Sequence, residues 1–175
     1  QLEFDVDSEL RSAMKEVAGN ISNVSSERVR EELEKMITTR YPSFGFHEME
    51  RSRLLEHILP ELSACRGIPQ GGFHSFDVLD HSLYSCDGAP ENNIELRFAA
   101  LFHDIGKAVT VDRVDLAEKE NFEETGKEEA DSTEIDYSFD DAHIKPTFYG
   151  HEEESDRLTG EICRRFRFSN AAERT

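Results

Sequence analysis

Residues 101–107 read Leu-Phe-His-Asp-Ile-Gly-Lys and place a histidine beside an aspartate at the end of an apolar segment. Apolar side chains crowd residues 94–105, so this segment predicts the most apolar helix of the chain, with His103 and Asp104 at its C-terminal end. A histidine–aspartate doublet is also explained by a helix cap or by a hydrogen bond inside a core. The rest of the chain must therefore show whether other side chains complete a site around this pair.

Helical periodicity dominates the remaining sequence. Apolar residues recur every three or four positions in five segments. These are the segment after the candidate N-cap Asp7, residues 27–38, the segment that ends at Pro60, residues 74–86 and residues 158–166. Glycine and proline residues separate these segments. The sequence therefore predicts an all-α fold built as a helical bundle.

Length and composition restrict the class of protein. At 175 residues the chain can form one domain with a core, or one domain with a short appendage. The formal net charge of −18 argues against a protein that grips nucleic acid over its whole surface, but does not exclude a local basic patch. No apolar run is long enough to span a bilayer and the first residues do not resemble a signal peptide, so we expect a cytoplasmic protein without a membrane partner.

The three cysteines, Cys65, Cys86 and Cys163, are widely spaced. An odd number of cysteines without a CxxC pair favours neither a disulfide framework nor a zinc knuckle. We therefore predict reduced thiols in the core.

Charge is concentrated in two segments. Residues 112–141 hold 13 Asp or Glu and 3 Lys or Arg with only scattered apolar residues, which predicts an acidic, disordered insertion at about 112–144. A more specific interpretation of the same composition is a metal reservoir or a nucleic-acid mimic. The last predicted helix carries the concentrated basic surface, a candidate for phosphate or RNA contact formed by Arg157, Arg164, Arg165 and Arg167.

His81, on another predicted helix, can approach the His103-Asp104 pair. Imidazole nitrogens and a carboxylate form a mixed donor set that suits Mn, Fe, Co, Ni or Zn, with Mg a poorer match. Asp77 precedes His81 by four residues, and a carboxylate in that position can orient the imidazole through its other ring nitrogen. These residues predict a divalent metal site with His81, His103 and Asp104 as ligands.

Lys107 follows His103 by four residues and therefore shares its helix face, where an ammonium group can hold a phosphate oxygen. Gly106 leaves the backbone open to a ligand. A metal ion here would polarise a phosphoryl oxygen and lower the pKa of a bound water toward about 7, which is the chemistry of phosphoester hydrolysis.

Two levels of resemblance follow from these residues. His81 followed by His103-Asp104 in a helical chain is similar to the HD superfamily of metal-dependent phosphohydrolases. Residues 23–33, 55–62, 148–152 and 167–170 resemble the neck and HD region of bacterial tRNA nucleotidyltransferases and poly(A) polymerases. The resemblance covers nearly the whole chain apart from the acidic segment.

The resemblance implies a helical neck that positions RNA over residues 1–65 and an HD domain, incomplete at its C-terminus, over residues 66–175. It implies a divalent metal ion on His81, His103 and Asp104, with catalytic roles for Asp104 and Lys107. His151, in the motif Phe-Tyr-Gly-His-Glu, becomes a candidate additional ligand.

The implied reaction is hydrolysis of nucleotides or RNA 3′ ends, of the 2′,3′-cyclic phosphodiesterase or phosphatase type. The implied parent protein adds CCA or adenylates to RNA 3′ ends, such as those of tRNA. The nucleotidyltransferase head of that parent is expected before residue 1, so these 175 residues would not add nucleotides by themselves. The distal aspartate of the usual HD ligand set is expected beyond Asn170, and Ala108 stands where the family usually has proline.

Two functions therefore stay open. In the first, the HD residues form a metal-dependent phosphohydrolase. In the second, the helices are a non-catalytic module that positions an RNA 3′ end for the head, and the HD residues are structural remnants. The enzyme is favoured by four intact residues, His81, His103, Asp104 and Lys107. The missing distal ligand and the net acidity favour the binding module.

Overall fold

The computed structural model describes residues 6–70, 76–111 and 146–168, and the regular secondary structure in these ranges is helical, which confirms the predicted all-α class. A 3₁₀ helix over Ala18–Asn23 follows the first α-helix. The α-helices are α1 Ser8–Val17, α2 Ser26–Ile37, α3 Pro42–Arg51, α4 Leu55–Ile58, α5 Pro60–Ser63, α6 Val78–Gly88, α7 Ile94–Phe102, α8 Lys107–Thr110 and α9 His151–Phe166.

Helix starts follow the local sequence. The carboxylate of Asp7 accepts hydrogen bonds from the backbone N–H groups of Glu9 at 2.9 Å and Leu10 at 3.3 Å, which confirms Asp7 as the N-cap of α1. The side chain of Asn93 caps α7 in the same way. The apolar stripe up to Pro60 does not form one helix, because Arg53 adopts a left-handed φ of 62° and separates α3 from α4.

One continuous core joins the two halves of the chain. Helix α6 packs against α7 and α3, and α9 packs against α8 and α2. Leu33 and Ile37 of α2 lie in the same buried cluster as Leu101 of α7 and Ile162 of α9. The segments predicted as neck and HD domain therefore share apolar contacts, and the boundary between residues 65 and 66 stays a prediction.

The three cysteines are described and buried as thiols, as predicted. Burial raises the pKa of Cys65 and of Cys86 to about 12, so these thiols are protonated at neutral pH. None of the helices in the described ranges is long and apolar enough to cross a membrane. The predicted acidic insertion at about 112–144 lies outside the described residues.

Candidate metal centre

Three side chains converge beside the C-terminal end of α7. Nε2 of His81 lies 3.2 Å from Nε2 of His103, and these atoms lie 3.5 and 3.1 Å from Oδ2 of Asp104. His81 comes from α6, whereas His103 and Asp104 come from the turn that follows α7. Because the helix ends at Phe102, two adjacent side chains can approach the same point instead of diverging by about 100° around a helix.

A hydrogen bond from its imidazole ring fixes the orientation of His103 in the cluster. Nδ1 of His103 lies 2.8 Å from the carbonyl oxygen of Ala100, to which the N–H of this ring nitrogen donates. In the neutral imidazole the other nitrogen, Nε2, then carries the lone pair. His103 therefore turns Nε2 toward His81 and Asp104, where this nitrogen can bind a metal ion when the ring is neutral and donates to Asp104 when the ring is protonated.

The three donor atoms fit a divalent ion. Imidazole nitrogens and carboxylate oxygens lie about 2.1 Å from a transition metal that they bind. When the ligand–metal–ligand angle is about 90–109°, two such ligand atoms lie about 3.0–3.4 Å apart. Two of the measured separations, 3.1 and 3.2 Å, lie in this range, and the third, 3.5 Å between His81 and Asp104, lies just above it. Asp104 is buried while the two imidazoles reach solvent, so the cluster has a protected base and an open face.

Lys107 occupies the edge of the cluster. Its Nζ lies 2.7 Å from Oδ2 of Asp104 and 2.9 Å from Oε1 of Gln70, and it stands 5.5 Å from the centre of the Phe148 ring. Gln70 also points its amide nitrogen at the carbonyl oxygens of Phe76 and Asp77, each at 3.4 Å. Gln70 carries no signal in the sequence beyond its place in a glycine-rich loop.

Neighbouring groups of the cluster keep the buried carboxyl of Asp104 ionised. Burial alone would raise the pKa of Asp104, but hydrogen bonds from His103 and Lys107 and their positive charge hold this pKa well below its usual range. The hydrogen bond with Asp104 in turn raises the pKa of His103. Asp104 is therefore ionised at neutral pH, as a metal ligand must be.

His151 approaches the same carboxylate from the other side. Its Nε2 lies 3.6 Å from Oδ1 of Asp104, and its Nδ1 lies 2.7 Å from the carbonyl oxygen of Phe148. Gly150 has a left-handed φ of 76°, which lets the chain turn into α9 at this point. The two oxygens of Asp104 therefore face different imidazoles.

Gly106 is needed for the approach of α9. Its backbone N–H donates to Oγ of Ser155 at 2.9 Å, and a Cβ at this position would collide with the carbonyl oxygen of His151 and lie 2.6 Å from the nitrogen of Ser155. The expectation that Gly106 leaves room for a ligand is wrong, because α9 fills that space. The glycine instead brings His151 to the centre.

Asp77 has backbone partners. Its Oδ1 accepts from the N–H of Asp80 and its Oδ2 from the N–H of Gly67, each at 2.7 Å, so it caps α6 and ties the preceding loop to it. Its role in orienting His81 stays a prediction. The capping bond fixes the first turn of the helix that carries His81.

The predicted basic surface of α9 is largely paired with carboxylates. Arg157 binds Glu154 and Glu161, Arg165 binds Glu61, and Arg167 binds Glu27. Within the described ranges no carboxylate pairs with Arg164, which is exposed. RNA contact by Arg157, Arg164, Arg165 and Arg167 stays a prediction, and Arg164 has the most available charge of the four.

Two family profiles match the chain, and their order along the sequence is the one that the resemblance to tRNA nucleotidyltransferases implies. The profile of the HD domain family matches residues 72–174. The profile of the family described as the probable RNA and SrmB-binding site of polymerase A matches residues 3–65.

The relatives carry related names. A multifunctional CCA protein of Pasteurella multocida is 27% identical over 97% of this chain and 36% of its own length. A CC-adding tRNA nucleotidyltransferase of Thermus thermophilus is 41% identical over 48% of this chain and 20% of its own length. An A-adding tRNA nucleotidyltransferase of Deinococcus radiodurans is 33% identical over 64% of this chain and 28% of its own length.

The chain thus spans only about a third or less of the length of these relatives, 36% in the longest alignment quoted. The HD profile alone covers more than half of the chain. The chain therefore belongs to the HD domain family, and it corresponds to the neck and HD portion of tRNA nucleotidyltransferases.

Proposed function

We propose that this chain is a divalent-metal-dependent phosphohydrolase that acts on nucleotides or RNA 3′ ends, as a 2′,3′-cyclic phosphodiesterase or phosphatase. The observation that carries the proposal is the convergence of the ligand atoms of His81, His103 and Asp104 within 4.8 Å of one another. HD domains bind divalent metals, and this cluster has the donor set that they need.

The residues of the candidate metal centre would have different roles in this reaction. His81, His103 and Asp104 would hold the metal ion, which when bound supplies an activated water and polarises the phosphoryl oxygen. Lys107 would bind a phosphate oxygen, since its ammonium group lies at the edge of the cluster. His151, whose Nε2 lies 3.6 Å from Oδ1 of Asp104, would be an additional ligand.

The donor set also restricts the metal. Two imidazoles and one carboxylate favour Mn, Fe, Co, Ni or Zn, while Mg prefers oxygen ligands. Because the described residues bring one carboxylate to the cluster, we expect Mg to support less activity than Mn, Co or Ni. Elemental analysis of the purified chain would identify the resident ion.

The decisive experiment measures bound metal and hydrolysis of 2′,3′-cyclic AMP in Mn, Ni, Co and Mg. His103→Ala should lose both, because it removes a ligand atom that lies 3.1 Å from Oδ2 of Asp104. His57→Ala is the matched control, since His57 lies near Glu56 and does not contact the cluster. No bound metal, or equal turnover by wild type and His103→Ala, would refute the phosphohydrolase.

An RNA-positioning module is the second candidate. The profile match over residues 3–65 favours it, because that family is described as a probable RNA-binding site. In this case the chain would orient an RNA 3′ end, such as that of tRNA, for a nucleotidyltransferase head that adds CCA or A. A role in tRNA maturation would place the chain in the cytoplasm.

RNA binding can be tested by removing single arginine charges from α9 and measuring RNA affinity. Arg164→Ala should weaken RNA affinity and flatten its salt dependence, because each phosphate contact releases counterions. Arg165→Ala should change affinity less, since Arg165 is already bound to Glu61. A chain without RNA affinity at low salt would remove the support for the second candidate.

A further inference from the structure

An open cavity of about 330 Å³ lies between α3 and α6, the helix that also carries His81. Ligand pockets in proteins begin at about this volume. The lining combines aromatic rings with a few polar groups and consists of Tyr41, Ser43, Phe44, His47, Tyr84 and Asp87.

Aromatic rings are unusually exposed here. Phe44 is 66% exposed and Tyr84 is 42% exposed, although rings of this size stabilise a fold chiefly when they are buried. Phe76, 48% exposed, stands beside Tyr84 with 4.8 Å between ring centres, and Tyr41 and Phe44 meet edge to face at 6.0 Å. A cluster of exposed aromatics indicates a binding surface.

Helix α6 connects the cavity with the metal centre. Tyr84 follows His81 by three residues, so the two side chains are neighbours on one helix face. His47, which lines the cavity, lies 3.9 Å from the carboxylate of Asp80, the residue before His81.

The loop before α6 makes a second connection. Gln70 accepts a hydrogen bond from Lys107 and directs its amide nitrogen at the backbone carbonyl of Phe76. The ammonium group of Lys107, which is predicted to hold phosphate, is therefore linked through Gln70 to the backbone of Phe76. A phosphate at Lys107 would be separated by one hydrogen-bonded side chain, Gln70, from the backbone of Phe76, whose ring lies 4.8 Å from that of Tyr84.

We propose that this cavity binds the base of the nucleotide whose phosphate lies at the metal centre. The inference rests on the proposed phosphohydrolase function and assigns a position to the base of its nucleotide substrate. Exposed Phe44 and Tyr84 offer faces on which a base can stack, and such stacking tolerates different bases. Arg40, 5.1 Å above the ring of Tyr41, adds a positive charge at the rim.

Asp87 supplies a polar contact inside the cavity. Its two oxygens accept from the N–H and the hydroxyl of Ser43, at 3.0 and 2.6 Å, which fixes the carboxylate and leaves further lone pairs. A carboxylate can accept from an exocyclic amino group such as that of cytosine. The cavity should therefore favour amino-bearing bases over uracil.

Binding can be followed without turnover. The chain has no tryptophan, so Phe44→Trp provides a single fluorescent reporter in the cavity. With His103 intact, adenosine 5′-O-thiomonophosphate, a slowly hydrolysed nucleotide analogue, should quench this fluorescence in a saturable manner, whereas glycerol 1,2-cyclic phosphate, which has no base, should not. Absence of saturable quenching by the nucleotide would overturn the inference.

Kinetics separate the base site from the phosphate chemistry. Phe44→Ala should lower the kcat/KM ratio of 2′,3′-cyclic AMP to glycerol 1,2-cyclic phosphate by about 10-fold, mainly through KM, given the usual strength of base stacking. Phe44→Tyr should restore the ratio, and Leu10→Ala on α1 should leave both activities as in wild type.

The outcomes distinguish the two proposals. Hydrolysis of both substrates with an unchanged ratio in Phe44→Ala would overturn the base site while the phosphohydrolase stands, and would leave the aromatic surface to a protein partner. Nucleotide quenching without hydrolysis of either substrate would overturn the phosphohydrolase and retain the base site.

Discussion

Lys107 and the two imidazoles meet at one oxygen atom of Asp104. Nζ of Lys107 lies 2.7 Å from Oδ2, the same atom that lies 3.1 Å from Nε2 of His103 and 3.5 Å from Nε2 of His81. An ammonium group has three N–H donors, and Asp104 and Gln70 accept from two of them. Among the described residues no third acceptor is hydrogen-bonded to Lys107, so its third donor can bind an oxygen atom of a substrate.

Replacement of this ammonium should separate catalysis from metal binding. Lys107→Gln should lower kcat/KM for 2′,3′-cyclic AMP by about 100-fold, because it removes a positive charge from the developing negative charge of the phosphoryl group. Bound metal should persist, since His81, His103 and Asp104 are intact. Lys35→Gln, at an exposed residue of α2 that pairs with Glu32, is the control. Loss of metal in Lys107→Gln would instead assign Lys107 a structural role.

A second prediction concerns the contact that brings α9 to the centre. Gly106→Ala should lower the free energy of unfolding by about 1–3 kcal/mol, because a methyl group would press against the backbone of His151 and Ser155. Activity should fall as His151 moves from Asp104. Urea unfolding and kcat/KM measured on the same preparation check both effects.

Gly88 offers the matched control. It ends α6, its φ is not positive, and a Cβ there would meet no atom within 4 Å. Gly88→Ala should leave the free energy of unfolding unchanged or raise it by up to about 1 kcal/mol. If both alanine variants were equally stable, close packing at Gly106 would not be what holds α9 in place.

The ligand side chains could be predicted from sequence because their chemistry is carried by residue type and local spacing. His103 and Asp104 are adjacent, and Lys107 lies one helical turn further, so one helix end brings them together whatever the rest of the fold does. His81 required a second helix, and the packing of α6 on α7 supplies it.

Other parts of the site depend on contacts between distant segments. Gln70 reaches Lys107 across 37 positions, and the close approach at Gly106 involves Ser155, 49 positions away. The charge of the α9 arginines was visible in the sequence, but their carboxylate partners Glu27 and Glu61 lie more than 100 positions earlier. Local patterns contain no information about such pairs.

A third prediction concerns Arg97, a charged residue with 0% exposure. Its Nη1 donates to the carbonyl oxygen of Ile37 at 2.6 Å and also to that of Thr39, and its Nε donates to that of Ala89 at 3.0 Å. Arg97 thus satisfies carbonyl groups at the end of α2 and after α6, where helices leave acceptors without partners.

Arg97→Met should lower the free energy of unfolding by about 2–4 kcal/mol, because the buried carbonyls would lose their donors. Arg97→Lys should recover only part of this loss, since a single ammonium group cannot reach two separate helix ends as the guanidinium does. Urea denaturation of both variants, with the m-value compared to wild type, measures the effect. Full stability in Arg97→Met would show that these bonds contribute little.

The last prediction concerns pH and the ion pair between α5 and α9. Arg165 binds both oxygens of Glu61, at 2.6 and 2.9 Å, and the Glu61 side chain is 13% exposed. Burial acts to raise the pKa of Glu61, but the hydrogen bonds from Arg165 and its charge outweigh burial and lower this pKa below its ordinary value of 4.5.

A carboxyl group whose pKa is lower in the folded state stabilises the fold above its unfolded pKa, and this stabilisation disappears as pH falls through the folded pKa. Arg165→Gln should therefore cost about 1 kcal/mol at pH 7 and progressively less below pH 4.5. Arg164→Gln, the neighbouring exposed arginine, should cost little at either pH. Thermal unfolding of the three proteins between pH 3 and 7, within the reversible range, tests this; a constant difference between Arg165→Gln and wild type would exclude Glu61 as the titrating partner.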